Sequence, residues 1–299
     1  MLVYRGLSAY CLICLILAHA AAGQIRYAGR ISTAPISLTL LDDGAGTVAG
    51  VYTYARFDTP IALDGTLRQG MLRVTERNRR GNATATLTIP GFAMACKTAQ
   101  GTWKILATGQ QLPLTLTSLS AADASEPDAT LNQHGLLQDE SLPNCNFEIV
   151  LAGEPAGYGS EVTAVRLLEK KTRRLVQQVP VSCQSHGLRS VGVGDFNFDG
   201  YPDFSVFESS YAGPNTTSLY FLYDPATKRY VDSGFTGTSL EFDEQKKRIY
   251  EHNSCCAGTS VTSAEYRVLH NRMVLVAQHC YRWDDKKQAL VERKPSACQ

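Results

Sequence analysis

From Ile25 to about Leu116 the chain reads as strands, with apolar residues at alternate positions in run after run and helical spacing nearly absent. Ile36-Ser37-Leu38-Thr39-Leu40 alternates, Asp42-Asp43-Gly44-Ala45-Gly46 turns, and Val48 to Tyr54 alternates again. Pro60 to Leu63, Leu67 to Val74, Ala83 to Ile89 and Leu112 to Leu116 repeat the habit, with Gly or Pro punctuating the gaps. Turn signals at that spacing predict an antiparallel barrel, a sandwich or propeller blades. Ser118 to Asn144 is small, acidic and Pro-containing, which predicts a linker or long loop. Strands resume at Phe147 to Leu151, Val162 to Leu168, Arg174 to Val181, Phe204 to Phe207, Leu219 to Tyr223, Glu265 to Leu269 and Met273 to Ala277. The expectation is an all-β protein of antiparallel modules. Residues 1–22 read as a signal peptide, 23–117 as an N-terminal β module, 118–144 as a linker, and 145–299 as a C-terminal β region.

One segment breaks the alternation with chemistry. In Asp195-Phe196-Asn197-Phe198-Asp199-Gly200-Tyr201-Pro202-Asp203-Phe204, oxygen-bearing side chains alternate with aromatic rings, and Gly200 permits a sharp turn. Oxygen ligands at the first, third and fifth places, a backbone carbonyl at the seventh (Tyr201) and a carboxylate at the ninth (Asp203) suit Ca²⁺. Mg²⁺ fits less well, because it prefers a near-ideal octahedron and keeps its waters. An EF-hand would need Glu where Val206 stands. The three Phe residues anchor strands, so the expected site is a calcium loop on a β scaffold rather than a plain Asx-rich turn.

The N-terminus carries Arg5, an apolar run from Leu7 to Ala18, and small-x-small sites at Ala18-His19-Ala20 and Ala20-Ala21-Ala22. That is the pattern of a cleaved export signal, and the run is short for a membrane span. The mature protein is therefore expected in a periplasm or outside the cell. Removing Arg5 leaves 28 basic and 28 acidic residues. No basic run points to nucleic acid, and none to a membrane surface. Seven cysteines remain: Cys96, Cys145, Cys183, Cys255, Cys256, Cys280 and Cys298. In an oxidising compartment most should pair, giving at least two disulfides, with Cys96–Cys145 the most local pairing in its half. Adjacent Cys255 and Cys256 are not expected to bond, because a ring across one peptide is strained. No cysteine pair has the spacing of a zinc site.

The calcium segment, preceded by Val191-Gly192-Val193-Gly194, resembles the loops of FG-GAP-type repeats known from β-propeller blades. A wider pattern adds Ala212-Gly213-Pro214-Asn215, Leu222-Tyr223-Asp224-Pro225 and Asn253-Ser254-Cys255-Cys256-Ala257-Gly258. Together these resemble a family of exported bacterial proteins that includes a Xanthomonas immunity protein. That family member blocks a lysozyme-like peptidoglycan hydrolase delivered by a type IV secretion system. The resemblance covers roughly Val162 to Gln299. It implies calcium ligation by Asp195, Asn197, Asp199 and Asp203, and a protein partner of the hydrolase class.

Catalysis finds little support in the chain. His134, His186, His252, His270 and His279 stand in unrelated contexts, without a His-Glu-x-x-His or Gly-x-Ser-x-Gly motif. Binding is the better reading. Tyr211, Asn215 and Asn253 are the expected contact residues, on a loop leaving the strand after the calcium site and on a loop pinned by cysteines. In this reading calcium and disulfides stiffen the base of the Tyr211 loop. The competing class is a calcium-stabilised structural or adhesive envelope protein without inhibitory activity.

Overall fold

The alternating strands of the first module close on themselves. In the computed structural model, which describes residues 23–78, 80–94, 96–119, 135–152, 159–211 and 213–298, the expected leader lies outside the described residues. Eight strands, β1 (Gly23–Ile31), β2 (Ala34–Asp42), β3 (Thr47–Tyr54), β4 (Ile61–Arg68), β5 (Met71–Arg77), β6 (Ala83–Pro90), β7 (Thr98–Ile105) and β8 (Gln111–Ser118), pair antiparallel in sequence order. β8 returns to β1 from Tyr27↔Ser118 to Ile31↔Leu114, so the barrel has no free edge. Eight strands leave an interior that side chains can fill. Here Tyr27, Leu38, Leu40, Tyr52, Leu72, Leu87, Ile89, Leu114 and Leu116 fill it.

Two local features make the closure possible. The expected single strand from Leu67 to Val74 is two strands, because Gln69 and Gly70 both take left-handed backbone (φ 50° and 71°) and form the tight turn between β4 and β5. That pair of conformations suits the right-handed twist of a two-residue hairpin. At Gly65 the neighbouring strand passes so close that a Cβ would overlap the Arg73 carbonyl oxygen. A glycine inside a strand marks such an approach.

The second half is three antiparallel meanders. β9 (Gly135–Ser141), β10 (Cys145–Leu151), β11 (Glu161–Glu169) and β12 (Leu175–Gln184) form one sheet. β13 (Val191–Gly194), β14 (Asp203–Ser210), β15 (Thr216–Asp224) and β16 (Arg229–Asp232) form the next. β17 (Glu241–Asp243), β18 (Arg248–Cys255), β19 (Ser260–Leu269), β20 (Arg272–Asp284) and β21 (Ala289–Arg293) form the last. β9 falls inside the stretch expected to be linker. Leu136 and Leu137 are buried there, and buried Gln138 is satisfied by the Leu136 and Gly187 carbonyls and the Ser190 amide.

One apolar core runs from Leu41 and Val51 on the barrel wall through Phe147, Ile149, Val165 and Leu167 to Phe204, Val206 and Phe221. A smaller one joins the last two sheets through Phe196, Tyr220, Leu222, Phe235 and Ile249. Among the described residues no helix is long and apolar enough to cross a membrane.

The cysteines differ from expectation. Cys280 and Cys298 are disulfide-bonded, tying β20 to the C-terminal turn. The expected Cys96–Cys145 bridge is not formed, and both remain thiols. They belong to separate cores: Cys96 packs on the barrel interior with its Sγ 3.6 Å from the Tyr27 hydroxyl, whereas Cys145 opens β10 against the neighbouring core. Cys183 is buried, and burial pushes its thiol up to about 11.

Gly65→Ala should cost about 1–3 kcal/mol through overpacking against β5. A thermal melt of the variant checks this, and an unchanged melting temperature would contradict the close approach.

Candidate metal centre and partner-facing loops

The candidate calcium loop is the connection of the β13–β14 hairpin, which closes with Gly194 opposite Asp203. Its carboxylates fold back onto the loop's own amides. Asp195 accepts the Asp199 amide at 3.0 Å on Oδ1 and the Gly200 amide at 2.8 Å on Oδ2. Asn197 Oδ1 accepts the same Asp199 amide at 3.2 Å, and Asp199 Oδ1 accepts the Tyr201 amide at 2.9 Å. Left-handed backbone at Phe198 (φ 64°) and Gly200 (φ 90°) bends the chain around these side chains. The side-chain oxygens of Asp195 and Asn197 therefore converge on one N–H, and Asn197 Nδ2 donates to Asp199 Oδ2 at 2.8 Å.

Asp203 plays a different part. It is fully buried, its Oδ2 accepts the Phe196 amide at 2.9 Å, and its Oδ1 accepts the Tyr223 amide at 2.8 Å. Burial raises its pKa to about 6 against the lowering effect of those two amides, and the charges of Asp199 and Asp195 raise it further. A buried carboxylate beside two more acids is the electrostatic situation that a bound divalent cation relieves.

The donor set consists of hard oxygens at the spacing Ca²⁺ prefers, so these residues fit that ion. Asp195, Asn197, Asp199, the Tyr201 carbonyl and Asp203 would hold it. Among the described residues, no group of three or more His, Cys, Asp and Glu side chains is gathered as a metal site by those residue types alone. A cation here would draw on Asn197 and main-chain oxygen as well.

The loop is braced by the last sheet, which the sequence did not reveal. Asn271, in the β19–β20 turn, accepts a hydrogen bond from Asn197 Nδ2 at 3.0 Å, and Lys247 Nζ donates to the Phe198 carbonyl at 3.3 Å. Phe196 packs edge-on to Tyr220 and tilted against Phe242, with centroids 5.0 and 4.7 Å apart.

The three expected contact residues separate into two roles. Tyr211 is 58% exposed, at the far end of β14. Asn215 is buried instead of facing outward: its Nδ2 donates to Asn253 Oδ1 at 3.1 Å and to the Ser254 carbonyl at 2.7 Å, and its Oδ1 accepts the Ser254 amide at 3.1 Å. Asn215 and Asn253 thus form a lock between the Tyr211 loop and β18. The Tyr211 amide, donating to the Asn215 carbonyl at 3.0 Å, closes the loop above that lock.

The last sheet also holds a shallow depression of about 380 Å³, lined by Glu241, Tyr250, Glu251, His252, Ser263 and His279 among others. His252, Ser263 and His279 lie in register across three strands, and His279 Nδ1 pairs with Glu292 at 2.7 Å. No hydrogen bond joins Ser263 to either imidazole, so the row lacks the contact by which a base activates a nucleophile.

No family model and no curated protein sequence matches the chain. Among solved structures it is similar to one described as "Structure of a Xanthomonas Type IV Secretion System related protein", with 13% identity and a TM-score of 0.36, over 55% of this chain and 95% of that one. A likeness of that size carries no conclusion about function.

Two outcomes test the centre. Calcium binding to the folded state should raise the melting temperature by mass action, and Asp199→Ala should remove most of that rise. Without metal, Asp203 binds its proton more tightly folded than unfolded. The chelated protein should therefore lose stability from this group as pH rises from about 4 to about 6, by up to roughly 3 kcal/mol. Asp203→Asn should flatten that slope. Melts in chelator across this pH range check the sign, and a slope unchanged by the variant would contradict the assignment.

Proposed function

We propose that this chain is an exported, calcium-binding β protein that binds and inhibits a peptidoglycan hydrolase. The observation that carries the reading is the Tyr211 loop: a large exposed aromatic residue beside the Asn215–Asn253 lock, in which Asn215 is buried. A preordered loop loses little entropy on association, and tyrosine offers wide contact area with few rotamers. The hydrolase as partner rests on the sequence resemblance through Asp195 to Gly258. A lysozyme-like cleft presents catalytic carboxylates, which the Tyr211 hydroxyl would meet as a hydrogen-bond donor. Function by binding alone is part of this proposal.

Calcium would serve that function at a distance from the contact loop. The calcium loop and the Tyr211 loop stand at opposite ends of β14, an eight-residue strand, and so roughly 20–25 Å apart. Calcium therefore does not stiffen the base of the Tyr211 loop directly. In this reading it holds the β13–β14 hairpin in register, while the lock to β18 orders the contact loop.

Purified protein titrated into a cell-wall lysis assay with its cognate peptidoglycan hydrolase should stop lysis stoichiometrically. Tyr211→Ala should weaken binding by about 2 kcal/mol or more while leaving the melt unchanged. Undiminished lysis at several-fold molar excess, with calcium present, would reject inhibition and favour a structural envelope role.

A further inference from the structure

Cys255 and Cys256 hold their sulfurs 3.1 Å apart, both exposed to solvent. Carbon atoms, which are smaller, settle in contact at about 3.5–4.0 Å. A disulfide needs about 2.05 Å. The pair therefore stands inside ordinary contact and short of a bond. The backbone is already shaped for this approach: Cys255 ends β18 in extended conformation, and Cys256 and Ala257 then turn through left-handed φ of 57° and 54°. Two successive non-glycine residues in that region carry a strain that needs something to hold it.

No other thiol competes well for either sulfur. Among the described residues Cys183 is buried, Cys96 and Cys145 pack on other cores, and Cys280 and Cys298 are already bonded. Cys255 lies opposite Ser260, whose hydroxyl donates toward Cys298 Sγ at 3.8 Å, so Ser260 stands between the pair and the existing disulfide. The two thiols also differ in acidity. The Cys256 thiol beside Cys255 lowers the pKa of Cys255, and the same contact raises that of Cys256. Unequal thiols suit stepwise exchange, in which the more acidic one attacks first.

We propose that in the exported protein Cys255 and Cys256 are joined as a disulfide between adjacent residues, a modification site that caps β18 and fixes the lock on the Tyr211 loop. The oxidant is a disulfide of the thiol–disulfide oxidoreductase or glutathione class. The Cys255 thiolate attacks one sulfur of that disulfide, forming a mixed disulfide and releasing the other sulfur as a thiolate. Cys256, losing its proton, then attacks Cys255 Sγ and expels the remaining thiolate. Two electrons and two protons pass from the pair to the oxidant's two sulfurs. The consequence is local: Asn253 and Ser254, the residues that grip Asn215, immediately precede the cross-link.

The proposal rests on export to an oxidising compartment, and its test separates the two. Trypsin releases Ile249 to Arg267, a peptide whose only cysteines are Cys255 and Cys256. From full-length protein purified after export and digested without reduction, it should appear lighter by two hydrogens. It should take up no alkylating reagent until it is reduced, and two equivalents afterwards. Free thiols in that peptide while Met273 to Arg282 remains linked to Lys294 to Gln299 would overturn the proposal and leave export standing. Free thiols throughout would overturn both. In Cys255→Ser/Cys256→Ser protein, hydrogen exchange at the Ser254 amide should quicken severalfold. Unchanged exchange would overturn the part of the proposal that ties the bond to the Tyr211 loop.

Discussion

The carboxylate of Asp203, wholly buried at the start of β14, accepts one amide from the β13–β14 loop and another from β15. One bond spans the β13–β14 hairpin and the other reaches β15, so a single side chain ties the loop to the strand beyond it. Burying a carboxylate without a countercharge is unfavourable, and Asp195 and Asp199 worsen the balance. The arrangement therefore favours a cation at the place where the loop's remaining oxygens converge. The group that shapes the loop is also the group whose buried charge a cation would offset most.

That constraint propagates through the aromatic residues between the loop's acids. Phe196, fixed by its amide on Asp203, turns its ring into the core shared by the last two sheets, where Tyr220, Phe235 and Phe242 receive it. Asn271 and Lys247 then reach the loop from the last sheet. The loop is thus a joint between two meanders rather than an ornament on one of them. On the other side, Phe204 stacks on Phe221 with centroids 4.9 Å apart and meets Phe147 of the preceding sheet at 5.1 Å. Adjacent residues at the head of β14 therefore serve both neighbouring interfaces.

Alternation made the barrel strands and the central strands of the later sheets legible, because each has one face pressed on a core. Within the barrel region β1 and β7 carry no alternating run of their own: in β1 Ala28 and Gly29 interrupt the apolar period, and Gly29 stands where a Cβ would clash with the β8 backbone. β18 and β21 lack one for another reason. β18 buries only Ile249 among its residues and β21 buries none, so little burial enforces a period in either. The Asp195–Asp203 loop stood out in the sequence because its oxygen-bearing residues lie within nine positions. The Asn215–Asn253 lock and the brace from Asn271 join residues 38 and 74 positions apart, and nothing local marks them. The cysteines show the same limit: counting them predicted pairing, but only the fold shows that Cys96 and Cys145 serve separate cores while the sulfurs of Cys255 and Cys256 face each other.

The account stands on a cation at the Asp195–Asp203 loop, and titration calorimetry of the chelator-stripped chain with calcium tests it most directly. One Ca²⁺ should bind per chain, and Asp195→Ala should abolish the heat while leaving the β-sheet signature in circular dichroism intact. No binding heat in the unaltered chain, or an isotherm that the substitution leaves unchanged, would contradict it.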